Sequence, residues 1–354
     1  MKILHTADLH IGSPLTSRLS PEKIRQRKTE LIVTLERMTE LALSTNISLF
    51  IIAGDLFDTR KVSKSLCGRI LNIISATPSV EFLYLSGNHE KNAIIESGLP
   101  LPRNLRIFSE DWTYFDYGDI TVAGRSELSE DMFASLRLDP GRKNIVVLHG
   151  ALLDRSSRDA VGIKDAADRG IDYLALGHYH SYSVRAIDER GIAVYCGSPE
   201  GRGFDETGDK GAVVVDFSTR RPREAFVQLA RRRLHIVRVD ISEATDTLEI
   251  EDEVAAQLRD IPGTDMVRVE MCGRRLPELF PATDALVARW QDRFYHFELQ
   301  DLSRTRIDPE SYRYDKSFKG EFIRTVLGAE LSDEDKEAVI RAGIAALLGE
   351  DADL

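Results

Sequence analysis

Residues 47–58 read Ile-Ser-Leu-Phe-Ile-Ile-Ala-Gly-Asp-Leu-Phe-Asp. Ile47–Ala53 is a mainly apolar, β-branched run of strand length, the composition of a strand covered on both faces. It stops at Gly54 and is followed at once by the carboxylates Asp55 and Asp58. The same grammar occurs on either side. Lys2–Thr6 is a short strand ending in Ala-Asp8-Leu-His10, and Val80–Ser86 is another ending in Gly87-Asn88-His89-Glu90. Between them, Pro21–Thr45 carries Ile24, Leu31, Leu35, Met38 and Ala42 at helical spacing, and Ser63–Ala76 does so with Leu66, Ile70, Ile73 and Ile74. This βαβαβ order predicts a layered α/β domain with helices on a central sheet.

Further strands are expected at Ile120–Ala123, Asn144–Leu148, Tyr173–Leu176, Tyr182–Ile187, Ile192–Tyr195, Ala212–Phe217 and Ala225–Ala230. Asp188-Glu-Arg-Gly191 is the hairpin turn between two of them. Two more of these strands end in potential ligands, His149-Gly150 and Gly177-His178-Tyr-His180. A polar, proline-containing break at Ser218–Arg223 precedes the end of the first domain, placed at 1–230. Beyond it the chain alternates strand, helix, strand, helix, strand (Leu234–Ile241, Leu248–Leu258, Met266–Met271, Ala285–Trp290, Tyr295–Leu299), an α+β unit over 231–302. Residues 303–354 comprise an Arg/Tyr-rich linker at Ser303–Ser317 and two closing helices. The second opens on a capping box, Ser332 with Asp335, and is apolar on one side through Val339, Ile340, Ile344 and Leu347.

Composition narrows the class. The chain of 354 residues is 42% hydrophobic and 30% charged, a globular mixture with material for a sizeable core. No apolar run reaches the ~18 residues of a membrane span. The charged start Met-Lys-Ile-Leu-His does not read as a secretory leader, so the expected location is the cytoplasm, with no membrane partner. The 3 cysteines, Cys67, Cys196 and Cys272, form no CxxC pair, which argues against a disulfide framework and a zinc ribbon. A net charge of −11 argues against a dedicated nucleic-acid binder, but two divalent ions would offset about four of those charges.

In layered α/β folds the loops at the carboxyl ends of neighbouring strands converge at one edge. Five segments therefore meet there: Asp8/His10, Asp55/Asp58, Asn88/His89/Glu90, His149 and His178/His180. Five of the 8 histidines lie in them, which singles the set out from scattered surface histidines. Positions i and i+2 at a strand end share a side, so Asp8 with His10, and His178 with His180, are expected to point together. Carboxylate, carboxamide oxygen and imidazole suit Mn²⁺, Fe²⁺, Zn²⁺ or Co²⁺. Asp55 is the natural bridge between two ions roughly 3.5–4 Å apart, a pair that activates water for attack on a phosphoester. Gly54, Gly87, Gly150 and Gly177 at the junctions let backbone approach closely.

The ordered set Asp-x-His, Gly-Asp-x-x-Asp, Gly-Asn-His-Glu, His-Gly, Gly-His-x-His resembles the calcineurin-like metallophosphoesterase superfamily. The resemblance implies a four-layer α/β/β/α sandwich with a small α+β capping domain and C-terminal helices. It implies that Asp8, His10, Asp55 and His180 hold one metal, that Asp55, Asn88, His149 and His178 hold the other, and that His89 is the catalytic histidine. An imidazole there suits stabilisation of the leaving oxygen, worth ~10²–10⁴-fold. Asp58 is expected to orient His89, with loop capping as its alternative role.

The opening Lys2–Gly12, the stretch Tyr195-Cys-Gly-Ser-Pro-Glu-Gly-Arg-Gly-Phe-Asp-Glu206 and Lys210-Gly-Ala-Val-Val-Val look like SbcD-type DNA repair exonucleases. That resemblance implies a manganese-dependent DNA exonuclease/endonuclease acting in DNA repair with an SbcC-like coiled-coil ATPase. The closing helices would then dock on the ATPase, and packing on their own domain is the alternative. The long Pro21–Thr45 helix is a candidate homodimer surface or an internal sheet cover. A cluster of Arg220, Arg221, Arg223, Arg231, Arg232, Arg233 and Arg238 is a candidate DNA contact, as are Arg155 and Arg158 beyond His149, because guanidinium groups bind phosphates in bidentate fashion. A solvated hairpin and linker is the other reading of the cluster. The alternative function is a small-molecule phosphodiesterase or phosphatase of the same superfamily. A scaffold that only binds is disfavoured by the complete ligand set.

Overall fold

The computed structural model describes residues 1–15, 18–219, 221–276, 279, 281–306 and 314–348. They form two compact units, Met1–Leu234 and His235–Leu354. Arg220 and the middle of the expected linker, 307–313, lie outside the described residues.

The first unit opens with β1 (Lys2–Thr6), α1 (Pro21–Ser44), β2 (Leu49–Ala53), α2 (Lys64–Ser75) and β3 (Glu81–Leu85). It continues with α3 (Ala93–Glu96), β4 (Leu105–Ile107), β5 (Thr113–Tyr117), β6 (Ile120–Gly124), α4 (Met132–Ser135) and β7 (Lys143–His149). Then come β8 (Ala151–Leu153), β9 (Ala160–Gly162), α5 (Ile163–Ala166), β10 (Tyr173–Gly177), β11 (Ser183–Ala186), β12 (Ile192–Tyr195), β13 (Gly211–Asp216) and β14 (Arg223–Gln228).

Two six-stranded sheets result, ordered β14-β13-β1-β2-β3-β4 and β11-β12-β10-β7-β6-β5. β1 to β4 are parallel, with antiparallel β13 and β14 beyond β1, and β12, β10, β7 and β6 are parallel, with antiparallel β11 and β5 at the two edges. The sheets stack face to face through Ile3, Ile51 and Leu83 of one and Val122, Val147, Tyr173 and Ala175 of the other. α1 and α2 cover the outer face of the first sheet with Leu31, Leu35, Met38 and Ile70 on Phe50 and Phe82. α4 and α5 cover the second through Met132, Phe133 and Ala166 on Val146 and Leu174. The expected α/β/β/α order is thus present. Its outer helices are amphipathic because each has one sheet to meet.

α1 starts where Ser20 accepts the Lys23 N–H and Pro21 takes the first turn, a position where a missing N–H costs nothing. Its apolar stripe is spent on the sheet, which is the sheet-covering reading of this helix.

The second unit contains β15 (Leu234–Asp240, whose first residue belongs to the first unit), α6 (Thr247–Leu258), β16 (Met266–Cys272), β17 (Arg274–Arg275), α7 (Thr283–Trp290), β18 (His296–Asp301), β19 (Arg304–Thr305), α8 (Phe318–Leu327) and α9 (Asp333–Leu348). β15, β16 and β18 form a sheet whose Val239, Val267, Val269 and Phe297 pack on Val254, Leu258 and Leu286 of α6 and α7. α8 and α9 pair through Ile323, Val326, Ile340 and Ile344. The Ser332 half of the capping box forms: Ser332 Oγ accepts the Asp335 N–H at 3.1 Å, and it donates to the Asp335 carboxylate at 2.6 Å. Among the described residues no helix is long and apolar enough to cross a membrane.

Candidate metal centre

Parallel pairing brings the carboxyl ends of β1, β2 and β3 to one edge, and those of β7 and β10 to the edge stacked above it, with β2 over β7 and β10. The loops beyond β1 and β2 stay side by side. Asp8 N–H donates to Gly54 O at 3.0 Å, His10 N–H to Asp55 O at 2.9 Å and Ile11 N–H to Leu56 O at 2.9 Å.

Asp8 and His10 do converge, but not through strand alternation. Both lie past the end of β1 with φ of 54° and 45°, and Asp55 and His178 also have positive φ, at 51° and 109°. Left-handed backbone in residues with side chains costs energy and clusters where function demands an orientation. Two glycines make room. A Cβ on Gly54 would fall 2.1 Å from His149 Nδ1, and one on Gly87 would fall 2.0 Å from Asp55 Oδ1.

Asp55 is central. Its Oδ1 accepts the His89 N–H at 3.1 Å, while Oδ2 lies 3.2 Å from His149 Nε2 and 3.8 Å from His10 Nε2. A single oxygen therefore reaches both halves. On one side His10 Nε2 faces His180 Nε2 at 3.2 Å, with Asp8 Oδ1 4.0 Å from His180 Nε2. On the other, His149 Nε2 faces Asn88 Oδ1 at 2.9 Å, and the His178 ring packs edge-on against His149 at 5.5 Å between centroids. Both Asp8 oxygens accept the His178 N–H at 3.0 Å, tying the halves together.

The tautomers follow from the partners. His149 Nδ1 meets the Ala53 carbonyl at 2.9 Å, and His180 Nδ1 meets Glu206 Oε1 at 2.8 Å. Carbonyl and carboxylate oxygens only accept, so each Nδ1 carries a proton, which leaves Nε2 as the ligand position of the neutral ring. An imidazole lone pair and a carboxamide oxygen at 2.9 Å repel unless a positive charge lies with them. The cluster recruits one. Burial opposes charge on His149, yet the hydrogen bond to Asp55 and the charges of Asp8 and Asp55 outweigh it and raise the ring to about 9. Burial pushes Asp8 up to about 6 and, aided by the Arg202 charge, His10 down to about 3. Asp55 is also penalised by burial, but His149 and His10 hold it at about 2. These converging donors fit divalent cations: Asp8/His10/His180 and Asp8/Asp55/His149 each bring ligand atoms within 4.8 Å of one another.

His89 lies at the open side, 45% exposed, with Nε2 4.0 Å from Asp55 Oδ2 and its ring 4.9 Å from that of His10. Among the described residues its ring makes no hydrogen bond. The expected Asp58–His89 bond is not formed. Asp58 Oδ1 instead receives Arg202 at 2.9 Å and lies 3.0 Å from His10 Nδ1, without the alignment of a hydrogen bond. Glu90, grouped with the ligand segments by sequence, turns away from them. It accepts from the Phe57 N–H, from Tyr84 at 2.7 Å and from the Gly87 N–H at 3.2 Å, pinning the β2 and β3 loops together.

A cavity of about 280 Å³ adjoins Asn88, His149 and His178 and is lined also by Lys91, Ser126 and Arg158. Two larger clefts, about 940 and 950 Å³, open at the other ends of the strands beside Ser48, Glu81 and Asn104 and beside Asp119, Lys143 and Asp172. They touch no site residue, so size does not mark the site.

Of the candidate arginines, Arg158 reaches the site cavity. Arg155 is exposed and bonded to Asp165 at 2.5 Å. The expectation for Arg232 is corrected. Only 5% exposed, it bonds Glu30 at 2.7 Å, within a network of Arg27, Glu30, Thr34 and Glu200, and offers no face to a phosphate. Arg231 is half exposed, 3.5 Å from Glu30, and Arg233 pairs with Asp209 at 2.7 Å. Sequence reasoning assigned no role to Glu206, Arg202 or Lys210, which surround His180. Their stretch carried a resemblance but no ligand spacing.

Residues 1–182 match the family model described as calcineurin-like phosphoesterase. An uncharacterized metallophosphoesterase YhaO of Bacillus subtilis (strain 168) is 27% identical, over 77% of this chain and 72% of its own. The DNA double-strand break repair protein Mre11 of Saccharolobus solfataricus is 23% identical, over 96% of this chain and 93% of its own. The SbcD component of the nuclease SbcCD of Staphylococcus saprophyticus is 22% identical, over 92% of this chain and 95% of its own.

Proposed function

The chain belongs to the calcineurin-like phosphoesterase family and is a metal-dependent phosphodiesterase, and we propose that it is a manganese-dependent DNA exonuclease/endonuclease working in DNA repair with an SbcC-like coiled-coil ATPase. The substrate reading is carried by similarity to Mre11 and to the SbcD component of SbcCD along nearly the whole chain, second unit included. DNA, the ATPase and a second copy of the chain are its proposed partners, and the cytoplasm its proposed location. The domain division 1–230, 231–302 and 303–354, with the middle part capping the site and the last docking on the ATPase, belongs to the same proposal.

Asp8, His10, Asp55 and His180 would hold one ion, and Asp55, Asn88, His149 and His178 the other. Two such ions, when bound, polarise the phosphoryl group and lower the pKa of the attacking water. The protein's own residues supply the rest. In this reading His89, on the open side with Nε2 4.0 Å from Asp55 Oδ2, gives a proton to the departing oxygen. In this reading Arg158, which lines the same cavity, draws a phosphate toward Asn88 and His149. Asp58 acts as an acceptor for Arg202.

The reading predicts Mn²⁺-dependent release of nucleotides from linear duplex DNA by the purified chain. Turnover of a small phosphoester with no cleavage of any DNA end contradicts it. A second reading, hydrolysis of a small phosphodiester, is favoured by the bounded 280 Å³ cavity beside the ligands. A cyclic nucleotide assayed alongside DNA separates the two.

A further inference from the structure

His180 is gripped at both ends. Its carbonyl oxygen accepts Lys210 Nζ at 2.5 Å and the Ser198 N–H at 3.3 Å, while its ring Nδ1–H donates to Glu206 Oε1 at 2.8 Å. Glu206 is 6% exposed and Lys210 is 2% exposed. A buried carboxylate needs several donors, and Arg202 supplies them: its backbone N–H to Oε2 at 2.9 Å, and Nε and Nη2 to Oε1 at 2.9 and 2.7 Å. The remaining guanidinium nitrogen, Nη1, donates to Asp58 Oδ1 at 2.9 Å. One planar group thus links the loop after β2, through Asp58, to the loop after β10, through His180. The loop itself is tight: a Cβ on Gly201 would fall 2.8 Å from Glu206 O.

We propose that Glu206, with Arg202, is the positioning pair for the His10/His180 half of the centre, fixing the His180 tautomer and ring direction and setting Asp58 beside His10. Glu206 itself holds no ion. The Asn88/His149 half has a different anchor, the Ala53 carbonyl on His149 Nδ1. Losing Glu206 should therefore damage one half and spare the other. A carboxylate that orients a ligating imidazole and makes it more basic is worth ~10–100-fold in metal affinity.

The proposal rests on the two-ion reading of the site, and its test uses Mn²⁺ alone, without DNA. Calorimetric titration of the metal-free full chain should resolve two binding events. Glu206→Gln and Glu206→Ala should weaken one of them ~10–100-fold and leave the other, and Glu206→Ala should also lower the melting temperature of the metal-free chain because Arg202 loses its buried partner. Glu206→Asp, which keeps the charge on a shorter arm, should recover part of the loss. The ¹⁵N histidine spectrum of the metal-free Glu206→Ala chain should show His180 leaving the Nδ1–H form. Two unchanged binding events, or equal weakening of both, overturn the proposal. A chain that binds two ions with this asymmetry but leaves DNA intact overturns the substrate reading and leaves this one standing.

Discussion

Asn88 Oδ1 and His149 Nε2 face each other at 2.9 Å while the ring's other nitrogen is held by the Ala53 carbonyl. In the metal-free chain a proton on Nε2, favoured by the raised pKa of His149, bridges the two, and a bound cation would take that proton's place. Metal should then stabilise the fold by mass action, ~2.7 kcal/mol at a hundredfold excess over Kd. Thermal melts with Mn²⁺ against chelator should differ by several degrees, and Asn88→Ala or His149→Ala should remove the share of the ion they hold. An undiminished shift in both variants contradicts the assignment.

His89→Ala should lower turnover ~10²–10⁴-fold while metal-induced stabilisation stays at the wild-type value. The ring is half exposed and bonded to no other side chain, so its removal costs the fold little. Unchanged turnover removes His89 from the reaction.

The arginines divide by burial. Arg232→Ala leaves Glu30 short of a buried partner and should cost about 3 kcal/mol in urea unfolding. Arg155→Ala removes an exposed pair and should stay within ~0.5 kcal/mol. A neutral Arg232→Ala would restore this residue as a surface candidate.

His5 introduces an acid sensitivity away from the ligands. It lies between the sheets with Nδ1 2.9 Å from Tyr173 Oη, and burial lowers it to about 3. The unfolded chain takes up a proton below about 6.5 that the folded chain refuses, so stability falls as pH drops from about 6.5 toward 3, by up to ~4 kcal/mol from this group. His5→Phe/Tyr173→Phe removes both polar partners together. It should flatten the fall across that window in metal-free protein, and an identical slope contradicts the assignment.

Much of this architecture was legible because the signals were local. Ile47–Ala53 had to be a covered strand, and Gly54-Asp55 had to turn at its end. The periodicity of Leu31, Leu35, Met38 and Ala42 had one sheet to meet. β4 was too short to announce itself, and β5 is an exposed-edge strand with weak alternation. The geometry of Asp8 and His10 was hidden because left-handed φ at these residues depends on the neighbouring β2 loop rather than on their own sequence. Arg231, Arg232 and Arg233 look alike as text. Only the fold decides that the middle one meets Glu30, 202 residues away. Glu206 and Arg202 were invisible as a pair because their function is to hold residues from two distant loops.

The central claim is a two-ion centre bridged by Asp55. Anomalous diffraction at the manganese edge, from crystals of the chain soaked in Mn²⁺, tests it most directly. Two peaks roughly 3.5–4 Å apart are predicted, one among Asp8, His10, Asp55 and His180 and the other among Asp55, Asn88, His149 and His178. A single peak, or peaks held by other residues, contradicts the account.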